Sequence, residues 1–229
     1  QVLQTCQICS RVRATFNRCT PELHSHPIMG MFYAWGVDTS GPYVKSDRGN
    51  KYIMHAVEYF TGTMVMEPMP SKESKNTAYA FLHGVIARYG ACAVVVTDGG
   101  GEYQASFAEM LALNFIDHRV TSASHPQANG LVERSVGTVK RALMKHCDTT
   151  KCTSTWDEKL PHVSLGYNCS RQASTNCSPY QLLFAREPTF PSGAGAALLN
   201  QPLQMDTEQH REAAAASLLA RSEYVERVA

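Results

Sequence analysis

Two acidic residues stand where a carboxylate is open to chemistry. Asp98 follows the apolar run Val94-Val95-Val96 and sits in Thr97-Asp98-Gly99-Gly100-Gly101-Glu102-Tyr103. A short β-branched run bounded by glycines predicts a buried strand. The three glycines free the backbone and keep side chains away from the acid. Glu133 closes the second stretch, Ser124-His125-Pro126-Gln127-Ala128-Asn129-Gly130-Leu131-Val132-Glu133-Arg134. Asn129 is a candidate N-cap, and Val132, Val136, Val139 and Leu143 recur at helical spacing as one apolar face. Asn129, Glu133, Gly137 and Lys140 fall on a neighbouring stripe. An amide, an acid, a gap without a side chain and a cation suit metal and phosphate better than core. Alone, Glu133 and Lys140 would read as an ordinary solvated helix face; Asp98 and a third acid, Asp38, weigh against that.

The elements that must position these acids follow from pattern. An apolar, aromatic strand over 31–37 ends on Asp38, and Thr39-Ser40-Gly41-Pro42 turns the chain away. A second strand with mixed faces is expected over 51–60, a hairpin turn at Thr61-Gly62, and a third strand over 63–67 stopped by Pro68. Ser71 is placed to cap a helix with apolar positions Ala78, Phe81, Leu82, Val85, Ile86 and Tyr89, and Gly90 to end it. The strand to Asp98 follows, then a short helix with Phe107, Met110 and Leu111 inward, a strand over 115–120, and a polar loop over 121–130. Beyond the Glu133 helix, Trp156, Leu160, Val163, Leu165 and Tyr167 mark a helix within 151–171. Ser178-Pro179 opens a short capped helix. The order predicts an α/β fold, a mixed sheet flanked by helices.

Three blocks carry a resemblance. Trp35-Gly36-Val37-Asp38-Thr39-Ser40-Gly41-Pro42, Thr97 to Tyr103, and His125 to Arg134 resemble the signature blocks of the retroviral-type integrase core, most of all integrases of gypsy-like LTR retrotransposons. The similarity covers residues 1–190. One departure is that 34 residues separate Asp98 from Glu133, where the family more often has one more. We place the missing residue in the 104–114 helix or its entry, away from the acids. The resemblance implies a ribonuclease H-like fold with a mixed five-stranded sheet, whose first and fourth strands end side by side and bring Asp38 next to Asp98. It implies a DNA integrase, a polynucleotidyl transferase and endonuclease that trims the 3′ ends of retrotransposon DNA and joins them to target DNA. Double-stranded DNA, both element ends and target, and further copies of the chain would be the partners. The nucleus would be the setting.

Three carboxylates in one shallow site do not stay ionised together without cations. Oxygen ligands without Cys or His favour Mg²⁺, with Mn²⁺ as a substitute. Two ions about 3.5–4 Å apart would activate an attacking oxygen and stabilise a leaving one. With the family, this gives roles: Asp38 bridges both ions, Asp98 and Glu133 hold one each, and Asn129, Lys140, Arg134 and Arg141 contact the DNA.

Other residues take plainer readings. Cys6-Gln7-Ile8-Cys9 is half of a zinc site, which needs four ligands. By resemblance, residues 1–10 are the truncated tail of a zinc module whose histidines would lie upstream, so zinc is expected only if those are present. Residues 11–30, with Arg11, Arg13 and Arg18, read as a linker, 31–187 as the catalytic core, and 188–229 as a linker and C-terminal helix. The chain starts at Gln1 and reads as a piece of a longer protein. Glu102 is expected to cap the helix it begins. Asp47, Glu58 and Asp117 are expected in or beside strands without a pocket, His125 to order its loop, and His55, His83 and His118 to be packed or solvated. Cys92, Cys147, Cys169 and Cys177 read as buried apolar side chains. The formal net charge is +1, so on charge alone a large non-specific nucleic-acid surface is not indicated. Eight cysteines without regular spacing and no membrane-length apolar run point to a reduced, intracellular setting. Two competing readings are a catalytically inactive, domesticated integrase that binds DNA or a partner, and a nuclease of the same fold acting on RNA–DNA hybrids.

Overall fold

A computed structural model describes residues 30–121, 130–150, 153–173 and 175–188, with Glu212, Ala215, Ala216 and Leu219. The strand carrying Asp38, β1 (Ala34–Ser40), is the middle of a five-stranded sheet. On one side it pairs antiparallel with β2 (Tyr52–Glu58), which pairs antiparallel with the edge strand β3 (Met64–Met69). On the other it pairs parallel with β4 (Val94–Thr97), and β4 with β5 (Asp117–Val120). Helix α1 runs Ser74–Phe81, continues through a π-helical stretch, Leu82–Ile86, and ends at Ala87–Tyr89. Helix α2 spans Ser106–Leu113, α3 Gly130–Thr150, α4 Trp156–Cys169 and α5 Pro179–Phe184.

The alternation of strand side chains splits the core into two layers. Trp35, Val37 and Val95 pack with Phe81, Val85, Phe107 and Leu111 under α1 and α2. Ala34, Val94 and Val96 pack with Val132, Val136, Val139, Trp156 and Leu160 under α3 and α4. With helices on both faces, β2 is buried along its length rather than mixed. The fold is α/β with a mixed five-stranded sheet, as expected.

Several boundaries depart from the sequence pattern. The first strand begins at Ala34, because Phe32 takes a left-handed φ of 61° and Met31–Tyr33 turn instead. It runs on through Thr39 and Ser40, which pair with Met54 and Ile53. Pro68 does not stop β3; it lies within it opposite Ile53, and an edge strand tolerates a missing N–H. The cap of α1 is Glu73, while Ser71 Oγ accepts from Glu73 N at 3.3 Å and Asn76 Nδ2 at 2.8 Å. The π-helical stretch shifts the helix register, so Leu82 turns outward, 41 % exposed, and Gly84 faces β3. A Cβ at Gly84 would lie 2.7 Å from Glu67 Cγ. Phe115, at φ 56°, precedes β5 rather than joining it. Leu165 is exposed on α4. Gly90 ends α1 at φ 87°, and α5 carries its expected Ser178 cap, closed by Gln181.

Two tethers hold α4 to the sheet. Asn168 accepts from Met64 N at 2.8 Å and donates to Met64 O at 2.9 Å, covering part of the β3 edge. Asp157 accepts from Ser46 Oγ at 2.7 Å and Asn50 Nδ2 at 2.8 Å, and Trp156 Nε1 donates to Val44 O at 2.7 Å. The loop after Asp38 is thereby fixed against α4. The expected zinc-module tail, the 11–30 linker, the 188–205 linker and the body of the 121–130 loop lie outside the described residues; the four described positions between 212 and 219 are helical.

Candidate active site

Asp38 and Asp98 come together through strand register. Ala34, Trp35 and Gly36 pair with Val94, Val95 and Val96. The same offset, carried two residues further and one past the end of β4, would set Asp38 opposite Asp98. Asp38 Oδ1 accepts from Thr39 N at 2.7 Å, and Asp98 Oδ1 from Gly100 N at 3.0 Å. Gly100 makes room for the second acid: a Cβ there would lie 3.0 Å from Asp98 Oδ1 and 2.6 Å from Glu102 Oε2. A side chain at 100 would fill the space that both carboxylates share.

Glu102 is the residue sequence reasoning misjudged. It does not cap α2, whose N-cap is Ala105 with no side-chain hydrogen bond. It lies in a 3₁₀ turn, Gly101–Tyr103, buried to 8 % exposure, and its carboxylate folds back beside Asp98. Lys72, from the loop before α1, closes an ion pair with it at 2.5 Å. The Glu102 hydrogen bond, opposed by partial desolvation, raises the Lys72 pKa, and the charges of Glu102, Asp98 and Asp38 add to it. A lysine attracted by three acids marks a pocket of concentrated negative charge. Tyr103 turns its hydroxyl to Thr39 Oγ1 at 2.9 Å, and burial raises its pKa well above the usual range. The signal that could have found Glu102 is its place within the glycine-rich turn, four residues after Asp98.

Glu133 lies in the first turn of α3. Its neighbour Val132 is fully buried and meets β1 at Gly36, two residues before Asp38 on the same face of the strand. A Cβ at Gly36 would also lie 2.6 Å from Tyr59 Oη, so only glycine lets the helix seat this closely. Along the same stripe, Lys140 acts electrostatically on His55, the residue paired with Asp38 across β1 and β2. The helix therefore crosses the sheet with Val132 on Gly36 and Lys140 within electrostatic range of His55. The Glu133 side chain and Asn129 lie outside the described residues.

The remaining candidates sit apart. Arg134 and Arg141 are exposed on α3, about 80–100° around the helix from Glu133. Arg134 lines, with Arg171 and Tyr167, a cleft of about 670 Å³ between α3 and α4. Cys6 and Cys9 lie outside the described residues. Among the described residues no three His, Cys, Asp or Glu side chains form a ready-made cation site. Asp38 and Asp98 nonetheless offer the hard oxygen donors Mg²⁺ prefers, and a lysine drawn toward the acids shows that the pocket takes a counter-charge.

Glu58 accepts from Phe32 N, Phe60 N, Thr61 N and Thr61 Oγ1, so it is a fully buried acid that ties two turns together. Burial outweighs these donors and raises its pKa. Asp117 pairs with Arg119 at 2.8 Å and Asp47 accepts from Ser154, as plain structural acids. His55 is packed at 0 % exposure, and His118 Nε2 bonds Thr97 Oγ1. Cys92 is buried, which pushes its thiol up to about 12, whereas Cys169 and Cys177 are only half-buried, against expectation. Cys147 lies outside the described side chains.

Residues 30–126 match the family described as Integrase core domain. The chain carries an integrase core domain of the retroviral type. Among its curated relatives, the retrovirus-related Pol polyprotein from transposon 412 of Drosophila melanogaster is 33% identical over 68% of this chain and 12% of its own length. Gypsy retrotransposon integrase-like protein 1 of Rattus norvegicus is 28% identical over 82% of this chain and 36% of its own. The chain thus spans well under two thirds of these relatives. Among solved structures, the HTLV-2 integrase catalytic core domain in complex with magnesium, in a trimeric form, superposes with a TM-score of 0.55 at 21% identity. It is covered to 97%, against 67% of this chain. A chain of the simian T-cell lymphotropic virus intasome in complex with PP2A regulatory subunit B56 gamma gives a TM-score of 0.64 at 21% identity, over 90% of this chain and 70% of that one. The fold is the ribonuclease H-like fold of retroviral integrase cores.

Proposed function

We propose that this integrase core is an active DNA integrase that trims the 3′ ends of retrotransposon DNA and then joins them to target DNA. The observation that supports the reading is the parallel pairing of β1 on β4, whose strands run on toward Asp38 and Asp98 beside the point where Val132 of α3 meets Gly36. Asp38, Asp98 and Glu133 would be the catalytic carboxylates and would hold Mg²⁺, or Mn²⁺. When bound, the ions lower the pKa of an attacking water or hydroxyl and stabilise the leaving oxygen. The chain's own work is positional. Lys140 and Asn129 hold the DNA end beside the acids, and Arg134 and Arg141 contact its backbone from the outer face of α3. A terminal 3′-hydroxyl, freed in the first step, is held in line with a target phosphodiester in the second. No covalent enzyme intermediate is required, so no Ser/His or Cys/His pair is needed.

The HTLV-2 core is in complex with magnesium, and the simian virus chain belongs to an intasome. Both support metal-dependent action by several copies of the chain on DNA. The nucleus is the setting that this reading requires. No helix among the described residues is long and apolar enough to cross a membrane. Residues 1–10 are proposed as the tail of a zinc module, 11–30 as a linker, 31–187 as the catalytic core and 188–229 as a linker and C-terminal helix.

The test is strand transfer with purified protein and a terminal-repeat oligonucleotide in Mg²⁺. Glu133→Gln is expected to abolish it, and retained activity would overturn the assignment. The Asp98–Glu133 spacing, one residue short of the family's usual one, favours a second reading, an inactive domesticated integrase that binds DNA or a partner. Wild-type protein that binds DNA but neither cuts nor joins it in Mg²⁺ or Mn²⁺ would select that reading. Degradation of RNA–DNA hybrids without joining would select a nuclease.

A further inference from the structure

We propose that Lys72 is a DNA-phosphate contact of the candidate active site, and that Glu102 is its positioning partner rather than a fourth metal ligand. The proposal rests on the integrase reading above and adds a residue to it. Lys72 comes from the loop between β3 and α1, far in sequence from the acids. Its ammonium lies 2.5 Å from the Glu102 carboxylate. The two side chains are unlike in exposure. Glu102 is 9% exposed and Lys72 45% exposed, so the acid is held inside while the cation reaches solvent. Glu102 is fixed by its own surroundings, folded over Gly100 with no room for a Cβ between it and Asp98. A buried carboxylate with one partly exposed lysine is an anchor for that lysine.

An ammonium has three donors, and Glu102 occupies one side of it. With the side chain 45% exposed, donors remain beyond those that Glu102 occupies. The electrostatic influence of Asp98 and Asp38 on Lys72 places it within range of both. A DNA strand approaching these acids brings phosphates into a region of negative charge, where each gains from a fixed cation. An anchored lysine loses less side-chain freedom on binding than a loose one. Were Lys72 only a counter-charge for the acids, it would be needed in the free protein and irrelevant to the bound strand.

The two roles separate in one experiment on the full 229-residue chain. Binding of a terminal-repeat duplex is measured from about 50 to 300 mM KCl, the range over which counterion release is read, for wild type, Lys72→Ala, Lys72→Arg and Glu102→Gln, alongside strand transfer and thermal midpoint. A phosphate contact predicts that Lys72→Ala weakens binding about three- to tenfold and reduces the slope of log affinity against log salt by about 0.9. Lys72→Arg restores the slope, and Glu102→Gln loses affinity without losing the fold. An unchanged slope in Lys72→Ala, with wild type binding and joining DNA, overturns this proposal and leaves the integrase reading standing. Wild type that shows no salt-dependent DNA binding overturns both.

Discussion

At the scale of single residues, the site is a problem in like charges. Glu102 pairs with Lys72, and the charges of Asp98 and Asp38 act on the same ammonium. Without divalent cations, removing one negative charge relieves repulsion. Asp98→Asn should therefore raise the thermal midpoint slightly in EDTA. In Mg²⁺ it should lose the stabilisation that binding to the native state confers on wild type. Scanning calorimetry with and without millimolar MgCl₂ checks both signs, and an equal Mg²⁺ increment in wild type and variant would rule out Asp98 as a ligand. Glu102 lies beside Asp98 across Gly100, yet it carries Lys72 and a turn. Neighbourhood alone does not assign a role; exposure and partner do.

At the scale of elements, α3 matters more than any one side chain on it. Its apolar face, Val132, Val136, Val139 and Leu143, is buried, and Val132 seats on the bare backbone of Gly36. Gly36→Ala would push Val132 and Tyr59 away, an overpacking that costs about 1–3 kcal/mol. Because the displaced helix carries Glu133 and Lys140, we expect strand transfer to fall by roughly tenfold or more even where the protein remains folded. Denaturant melts and strand transfer on the same preparation check this. A loss of stability with full activity would mean that α3 is not seated by Gly36. The π-helical stretch in α1 is an element-scale feature of the same kind. It turns Gly84 to β3 and Leu82 to solvent, and no periodicity of apolar residues announces it.

At the scale of the whole molecule, two apolar layers and a few buried polar groups set stability. His55 is fully buried on the face of β2 that α3 covers. Its Nε2 lies 2.7 Å from Ser40 Oγ, which bonds Tyr43 Oη at 2.8 Å, and its Nδ1 has no hydrogen-bond partner among the described residues. Desolvation first, and the charge of Lys140 second, lower its pKa to about 3. The unfolded chain takes up a proton near pH 6.5 and the folded one does not. The neutral imidazole's contribution is thus complete above about pH 6.5 and is lost as pH falls toward 3, by at most about 1.4 kcal/mol per pH unit. Urea midpoints at about pH 7.5 and about pH 5, on either side of the unfolded histidine's pKa, should differ in wild type and differ less in His55→Leu. An equal drop in both would assign the acid sensitivity elsewhere.

Much of this was legible in the linear chain. Val94–Val96 before three glycines placed a buried strand with an acid at its end, and Val132 to Leu143 at helical spacing placed α3 and its buried face. These patterns are local, because alternation and helical period follow from backbone geometry. Tertiary structure alone decided the rest. Which strands pair, and in what register, follows from burying both faces of the sheet, and that register lays β1 beside β4 so that the strands leading to Asp38 and Asp98, far apart in the sequence, run together. The Lys72–Glu102 pair spans two loops with no shared pattern. Pro68 survives in a strand because β3 is an edge, and Glu58 stays buried because two turns donate to it. Each of these depends on which distant segment arrives beside a residue, and no short-range rule of propensity encodes that.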